Sequence, residues 1–413
     1  MKKLLVISNG CFSLTDSNGR TLEKLLKDYD PENLAQVFTY GTPDFDMCEN
    51  YYRVTDKDVI KALFSRGPCG RVVVQEKNEV GQANAAVKKA TKRTPFRKLV
   101  RELIWQLSNW ENKGFLKWVD AFKPEEILVF AGDSGFLMNI ARMLAKIYGI
   151  KITIYTTEDY CFKKYNYLTR RKSLFYSLFF HQLKSSYKKA EPFVKKGFFN
   201  TPLLTKSYEE EFSFDCECLF AKSDIDFVKA QVKVDRDNIK VSYLGNLGLK
   251  RHLPLIEIAD ALGEIAPGTR LAVYGSATEE VQKELLANKN IDYKGFVNYD
   301  DVVKIIHNSD LVVHAEYDEP FNLLDLKAAF STKIPDSISS GTPLFVYANE
   351  NLACTDFVIK NQCAFVAKNS SELKVSLEAA LFDREKREVT MAQAESVKKE
   401  FFASERTLTA YFN

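Results

Sequence analysis

No apolar run in this chain of 413 residues approaches the roughly 20 that span a bilayer, so no membrane-crossing helix is expected. Cysteine pairs are missing too. The eight cysteines are scattered at 11, 48, 69, 161, 216, 218, 354 and 363. Only Cys216 and Cys218 are neighbours, and their spacing gives neither CxxC redox geometry nor half of a zinc site. Free thiols in a reducing compartment are the natural reading. No Asp-x-Asp follows directly on an expected strand, so no metal is expected. Charge of one sign is not in excess: the net +3 is too small for nucleic-acid binding across the molecule, and none is expected. Neither half carries Gly-x-Gly-x-x-Gly after its first strand, which argues against an NAD-dependent oxidoreductase. Met1-Lys2-Lys3 followed by Leu4-Leu5-Val6-Ile7 has too few apolar residues for a signal peptide and reads as a first strand.

What is present is enough chain for two cores: the length exceeds the size at which one hydrophobic core stops growing. Aromatics reach 13%, with 30 Phe and 19 Tyr, which suits a large aromatic core or an apolar acceptor or membrane-facing surface. Residues 160–200 hold ten Lys or Arg against the single acid Glu191. A basic stripe of that kind fits a solvated face or an anionic partner such as a phospholipid surface.

Short apolar runs alternate with segments of helical period, as in parallel strands joined by crossover helices. In the first half, strands are expected at Leu4 to Ile7, 35–39, 71–75, Glu126 to Ala131 and Ile152 to Tyr155. A helix is expected from Thr21 after an Asn18-Gly19 turn, another over 135–148, and a Phe-rich one over 173–190. The aromatic stripe of the last reads as core in preference to a membrane contact. Residues 222–238 read as a linker. In the second half, strands at Val241 to Leu244, Leu271 to Tyr274, Ile291 to Tyr293, Leu311 to His314 and Leu344 to Tyr347 alternate with helices over 253–262, 278–287, 299–307, 333–340 and 370–382. Two doubly wound, Rossmann-like α/β domains follow, over 1–222 and 223–391, with 392–413 partly helical and able to return to the first domain.

In open α/β sheets, ligands bind beyond the carboxyl ends of the strands. After Val241 to Leu244 comes Gly245-Asn246, with Arg251 at the start of the next helix. The glycine admits close approach of backbone to a ligand, and the guanidinium offers a planar fork to phosphate. A plain turn followed by a surface arginine is the simpler reading of that segment alone. Ser331-Thr332-Lys333-Ile334-Pro335-Asp336 leads into Ser340-Gly341-Thr342-Pro343. Ser331 or Thr332 is expected to cap the helix, and its N-terminus with Lys333 to meet a pyrophosphate. Asp336 is placed to accept from ribose hydroxyls. Gly275-Ser276 and Gly295-Phe296-Val297 each follow a strand and could grip a nucleobase. The acidic loop His314 to Pro320 could hold hydroxyls of a sugar.

The order of these motifs resembles the C-terminal domain of GT-B glycosyltransferases, most closely the retaining family four of bacterial surface and capsular polysaccharide synthesis. The strong part covers residues 240–350. The resemblance implies two Rossmann-like domains facing across a cleft, an N-terminal acceptor domain and a C-terminal nucleotide-sugar domain. It places Gly245 near the donor diphosphate. Asn246 stands where the family has an arginine, and Arg251 where it has a lysine, so one cation is missing and Ser331, Thr332 and Lys333 are candidates to compensate. The family's two glutamates are best matched by Glu319 and Asp336. Its histidine has no match, leaving Asp133 and Asp159 as positional candidates in the first half. Asn18-Gly19-Arg20-Thr21 falls at the family's acceptor-side glycine loop.

The resemblance further implies transfer of a sugar, with retention, from a nucleotide-diphosphate donor to a saccharide or lipid-linked acceptor. No cofactor is implied beyond the co-substrate, and the leaving group is stabilised by Arg251, Lys333 and a helix dipole. The basic, aromatic segments 92–118 and 161–199 suggest peripheral contact of a cytoplasmic enzyme with the anionic inner face of the cell membrane. Two alternatives stay open: a nucleotide-sugar epimerase of the same fold, and a non-catalytic nucleotide-sugar-binding partner subunit.

Overall fold

The structure is a computed structural model that describes residues 1–13, 17–64, 69–75, 94–403 and 407–413. It contains two compact units, one of Met1–Leu219 with Thr407–Asn413, the other of Phe220–Arg406.

The first unit is built on an eight-stranded sheet. In chain order its strands are β1 (Leu4–Ile7), β2 (Leu34–Phe38), β3 (Asn50–Arg53), β4 (Arg71–Val73), β5 (Glu126–Phe130), β6 (Lys151–Thr156), β7 (Val194–Phe199) and β8 (Asp215–Cys218). Their order across the sheet is β4-β3-β2-β1-β5-β6-β7-β8, parallel except for β4 against β3. The central strands β1, β2 and β5 are buried along their whole length, as expected where both faces are covered by helices. The chain winds outward in both directions from β1, so β1 and β5 flank the point where the strand order reverses. The C-terminal helix Leu408–Phe412 buries Leu408 and Phe412 in the core beneath β1 and β2.

The second unit repeats the plan with six parallel strands: β9 (Val241–Leu244), β10 (Leu271–Tyr274), β11 (Ile291–Gly295), β12 (Leu311–Ala315), β13 (Leu344–Tyr347) and β14 (Phe365–Ala367). Their order is β11-β10-β9-β12-β13-β14, so the reversal falls between β9 and β12. Arg387 of the helix Arg384–Val397 is fully buried, and its guanidinium donates to the carbonyls of Gln231, Val232, Asp310 and Ala380. It therefore binds the irregular segment after residue 222 to the second unit.

The observed helices Tyr299–His307, Lys333–Ser340 and Ser370–Phe382 keep their expected bounds. One start differs. The first helix is Ser17–Leu25, so Asn18 and Gly19 lie in its first turn and do not form a turn before it. Strands β3, β7, β8 and β14 had no expectation; β8 reads Asp-Cys-Glu-Cys and β3 Asn-Tyr-Tyr-Arg, too polar to resemble buried strands.

Candidate functional site

The loops after β9, β10 and β11 are tied in series: Gly245 N–H donates to Tyr274 O at 2.8 Å, and Gly275 N–H to Gly295 O at 2.8 Å. Glycine is required at 275, and at 245 it leaves room for a neighbouring side chain. A Cβ on Gly275 would strike the Gly245 carbonyl, and one on Gly245 would strike the side chain of Lys333. The Lys333 stem thus lies in the space a side chain at 245 would fill. Its Nζ sits 5.3 Å from the ring centroid of Tyr243, which is buried at the end of β9. Apart from that ring, Lys333 makes no hydrogen bond or ion pair with a described residue. Burial and then the nearby Arg251 push its pKa down to about 8, against the pull of Glu316.

Arg251 approaches the same place. Its Nε donates to Glu316 Oε2 at 2.7 Å and its Nη2 to Glu316 Oε1 at 2.9 Å, while Nη1 lies 3.5 Å from the Asn246 carbonyl. Asn246 caps its own turn, accepting Gly248 N–H on its side-chain oxygen at 2.6 Å. The backbone between them passes through left-handed conformations at Leu249 (φ 57°) and Lys250 (φ 58°), uncommon for such residues and typical of positions held by their surroundings. Asn322 Nδ2 secures that bend by donating to Leu249 O at 2.9 Å.

Two acids of the expected site behave differently. Glu319 pairs with Lys250 at 2.8 Å and precedes the helix Pro320–Leu326. Asp336 Oδ1 accepts from Ser223 Oγ at 2.7 Å and from Tyr299 OH at 3.4 Å. The expected cap of the helix Lys333–Ser340 is not made by a side chain: Thr332 is helical and exposed, and neither it nor Ser331 caps through its hydroxyl. Instead Ser331 gives its carbonyl to Ile334 N–H at 3.1 Å. Ser276 is exposed, Val297 half-buried, and Phe296 stands 77% exposed after the turn at Gly295.

In the first unit a cavity of about 920 Å³ opens at the carboxyl ends of the strands. Asn9 and Gly10 after β1, Ala131 to Ser134 after β5, and Thr157 and Glu158 after β6 line it, with the helix Pro95–Leu107 along one wall. Asp133 lines it and is held by Lys98 Nζ at 2.5 Å and Tyr167 OH at 2.8 Å. Asp159 is not among its lining; it pairs with Lys163 at 3.1 Å. Of the acceptor-side group only Asn18 lines the cavity, while Gly19, Arg20 and Thr21 do not. Arg101, which had no expectation, spans the site: it pairs with Asp56, donates to Ser134 Oγ at 3.1 Å and reaches Asn9 at 3.4 Å. Behind it, buried Glu102 accepts the N–H groups of Gly135 and Phe136 at 3.0 and 2.9 Å, so the helix Gly135–Tyr148 begins on a carboxylate from the facing helix. Burial raises the Glu102 pKa to about 7 although Arg101, Lys98 and those two N–H groups favour its charge.

Sequence reasoning missed Glu316, Lys98 and Arg101 as site residues. Glu316 stood in the acidic loop, two residues past a strand, but Glu319 matched the family pattern better. Lys98 and Arg101 lie after Thr94-Pro95, an N-cap followed by proline at the first helical position, which is a readable helix start.

Among the described residues no cluster of His, Cys, Asp and Glu could hold a metal ion, and no helix is long and apolar enough to cross a membrane.

Residues 224–397 match the family model of glycosyl transferases group 1. Across both units the fold is similar to that of Alr3699/HepE from Anabaena, solved in complex with UDP and glucose, at 12% identity and TM-score 0.61, covering 99% of this chain and 98% of that one. It is similar to WaaG, a glycosyltransferase involved in lipopolysaccharide biosynthesis, at 12% identity and TM-score 0.54, covering 96% and 95%. A putative UDP-N-acetylglucosamine 2-epimerase from Listeria monocytogenes shares the fold at 11% identity and TM-score 0.51, covering 95% and 91%. No curated protein sequence matches the chain. The fold is GT-B, with a Rossmann-like sheet in each unit. The match to group 1 glycosyl transferases covers most of the second unit.

Proposed function

We propose that the donor diphosphate binds between the Gly245 loop and the N-terminus of the helix Lys333–Ser340, with the ammonium of Lys333 as its principal partner. One observation carries this reading: Lys333 is a half-buried cation with no hydrogen-bonded or ion-paired carboxylate among the described residues, held over a glycine at the point where the strand order reverses. Ligands of open α/β sheets bind at such points. The Nη1 edge of Arg251 and the helix dipole support the same anion. Phe296, Val297 and Ser276 serve the base, and Gly275 keeps their loop close to Gly245. Asp336 serves the ribose from its place beside Ser223 and Tyr299.

As the nucleotide leaves, negative charge grows on the diphosphate, and fixed cations stabilise that charge more than the ground state. The acceptor enters the first-unit cavity, where Asp133, Glu158 and Arg101 offer partners to sugar hydroxyls. Its hydroxyl attacks the anomeric carbon from the leaving-group side. The glycosyl–phosphate bond breaks, the new glycosidic bond forms with retention, and a donor phosphate oxygen takes the proton. The product belongs to surface polysaccharide synthesis in this reading, and the acceptor is a saccharide or lipid-linked saccharide. An exposed apolar face beside that cavity supports presentation of the acceptor at an anionic membrane. Phe96 (53% exposed) of one helix faces Phe175 of another, where Leu174 (74%) is also exposed just after Arg170, Arg171 and Lys172. The rings of Phe96 and Phe175 lie 5.1 Å apart.

Calorimetric titration with UDP, GDP, ADP and CMP tests the donor site. One diphosphate should bind, and Lys333→Ala should weaken it by about 10²-fold, the scale of one lost charged hydrogen bond in a water-poor site. Equal affinity of wild type and variant would refute the assignment.

A further inference from the structure

Glu316 has no part in that donor reading, yet it is the most completely buried charge around Lys333. Its side chain is 4% exposed, and it gives both carboxylate oxygens to Arg251. Oε1 also lies 3.5 Å from Nε2 of His314. His314 is itself buried on β12, and desolvation, with Lys333 and Arg251 adding to it, holds its pKa well below the ordinary value. It is therefore a neutral ring at physiological pH. The groups that face Lys333 are Tyr243 from β9, Arg251 from the start of the next helix, and His314 and Glu316 from β12 and its exit.

A buried carboxylate beside an anion site weakens anion binding unless it performs another task there. Without Glu316, two cations would stand close together in a water-poor place. The guanidinium would lose both bonds that fix its plane, and the ammonium would shed its proton more readily. We propose that Glu316 is a positioning residue of the donor site: its carboxylate fixes the guanidinium of Arg251 against the Asn246 loop and offsets its charge toward the ammonium of Lys333. The inference rests on the donor-site reading above. It makes Arg251 and Glu316 one neutral, rigid pair and leaves Lys333 as the net charge that meets the diphosphate.

The experiment is calorimetric titration of the full-length protein with UDP between pH 7 and 9.5. If another nucleotide gives the stronger response, that nucleotide replaces UDP. Wild-type affinity should fall as pH rises through about 8, where Lys333 loses its proton. Glu316→Gln keeps the shape but not the charge; it should weaken binding about tenfold at pH 7 and begin the alkaline fall at lower pH. Glu316→Asp keeps the charge on a shorter arm; it should bind more weakly than wild type with the fall at the wild-type pH. That second variant also carries the test if Glu316→Gln does not fold. Wild-type affinity and pH dependence in the variants would overturn the proposal. Lys333→Ala separates the two readings. If it binds as wild type does, the donor-site reading fails. If it binds poorly while the Glu316 variants match wild type, only the positioning role fails.

Discussion

At the scale of single residues, the second unit spends two glycines on one close approach. Gly245 leaves the space that the Lys333 stem occupies, and Gly275 leaves the space for the Gly245 carbonyl. A methyl group at 245 must push the lysine away from Tyr243 or distort the loop. Gly245→Ala should therefore weaken nucleotide binding at least tenfold while far-UV circular dichroism stays unchanged; undiminished binding would show that the Lys333 stem is free to move. Position 246 is instructive in another way. The resemblance implied a missing cation there, and the structure uses Asn246 to cap its own turn, with Arg251 reaching back to its carbonyl. The partner of Arg251 was not legible, because Glu316 lies 65 residues away in sequence. Only the neighbouring of β9 and β12 brings them together.

At the scale of elements, five of the six strands of the second unit were legible nearly to the residue. β9, β10 and β13 are short apolar runs between turn-forming residues, so local composition alone marks them. In the first unit β3 and β8 were not legible, since they carry polar residues that an edge or near-edge strand tolerates. The helix Pro95–Leu107 is the informative case. Its residue Glu102 occupies the N-terminus of the helix Gly135–Tyr148, a fact that no sequence pattern announces. Glu102→Ala would strand two buried N–H groups and should destabilise the first unit by about 3 kcal/mol. Trp105, Trp110 and Trp118 all lie in that unit, so their fluorescence in urea reports on it. The sign of the pH effect follows from the direction of the shift. A folded pKa of about 7 against the ordinary value of 4.5 means that the folded state holds the extra proton between those values. Stability therefore falls as pH rises from about 5 to 7, and the fall should be shallower in Glu102→Ala than in wild type. A variant as stable as wild type, with the same slope, would refute this account.

At the scale of the whole molecule, the aromatic richness of the composition divides between core and surface. The stripe on the helix Leu174–Ala190 reads as core in the sequence, and Tyr176, Phe179, Phe180, Leu183 and Tyr187 are indeed buried. Its first turns are not: Leu174, Phe175 and Leu178 are exposed beside Phe96 and the basic run 170–172. If this face meets an anionic bilayer, the protein should float with vesicles containing phosphatidylglycerol at low salt and release at high salt, where screening removes the electrostatic part. Leu174→Glu with Phe175→Glu should abolish flotation without changing nucleotide affinity. No flotation of wild type on anionic vesicles would remove the membrane from the reading.

The sequence by itself determined the class of fold, because alternating strand and helix periods leave few other ways to bury their apolar faces. It also marked the loops that follow each strand, because glycine, proline and capping residues act locally. Tertiary structure alone decided which charges neutralise each other. Arg251 with Glu316, Lys98 with Asp133, and Glu102 with a helix N-terminus are pairings across elements. Coulombic and hydrogen-bond energies depend on distance in space, and the chain order does not record that distance. The same holds for Lys333, whose want of an ion-pair partner among the described residues becomes visible only when its neighbours in space are in place.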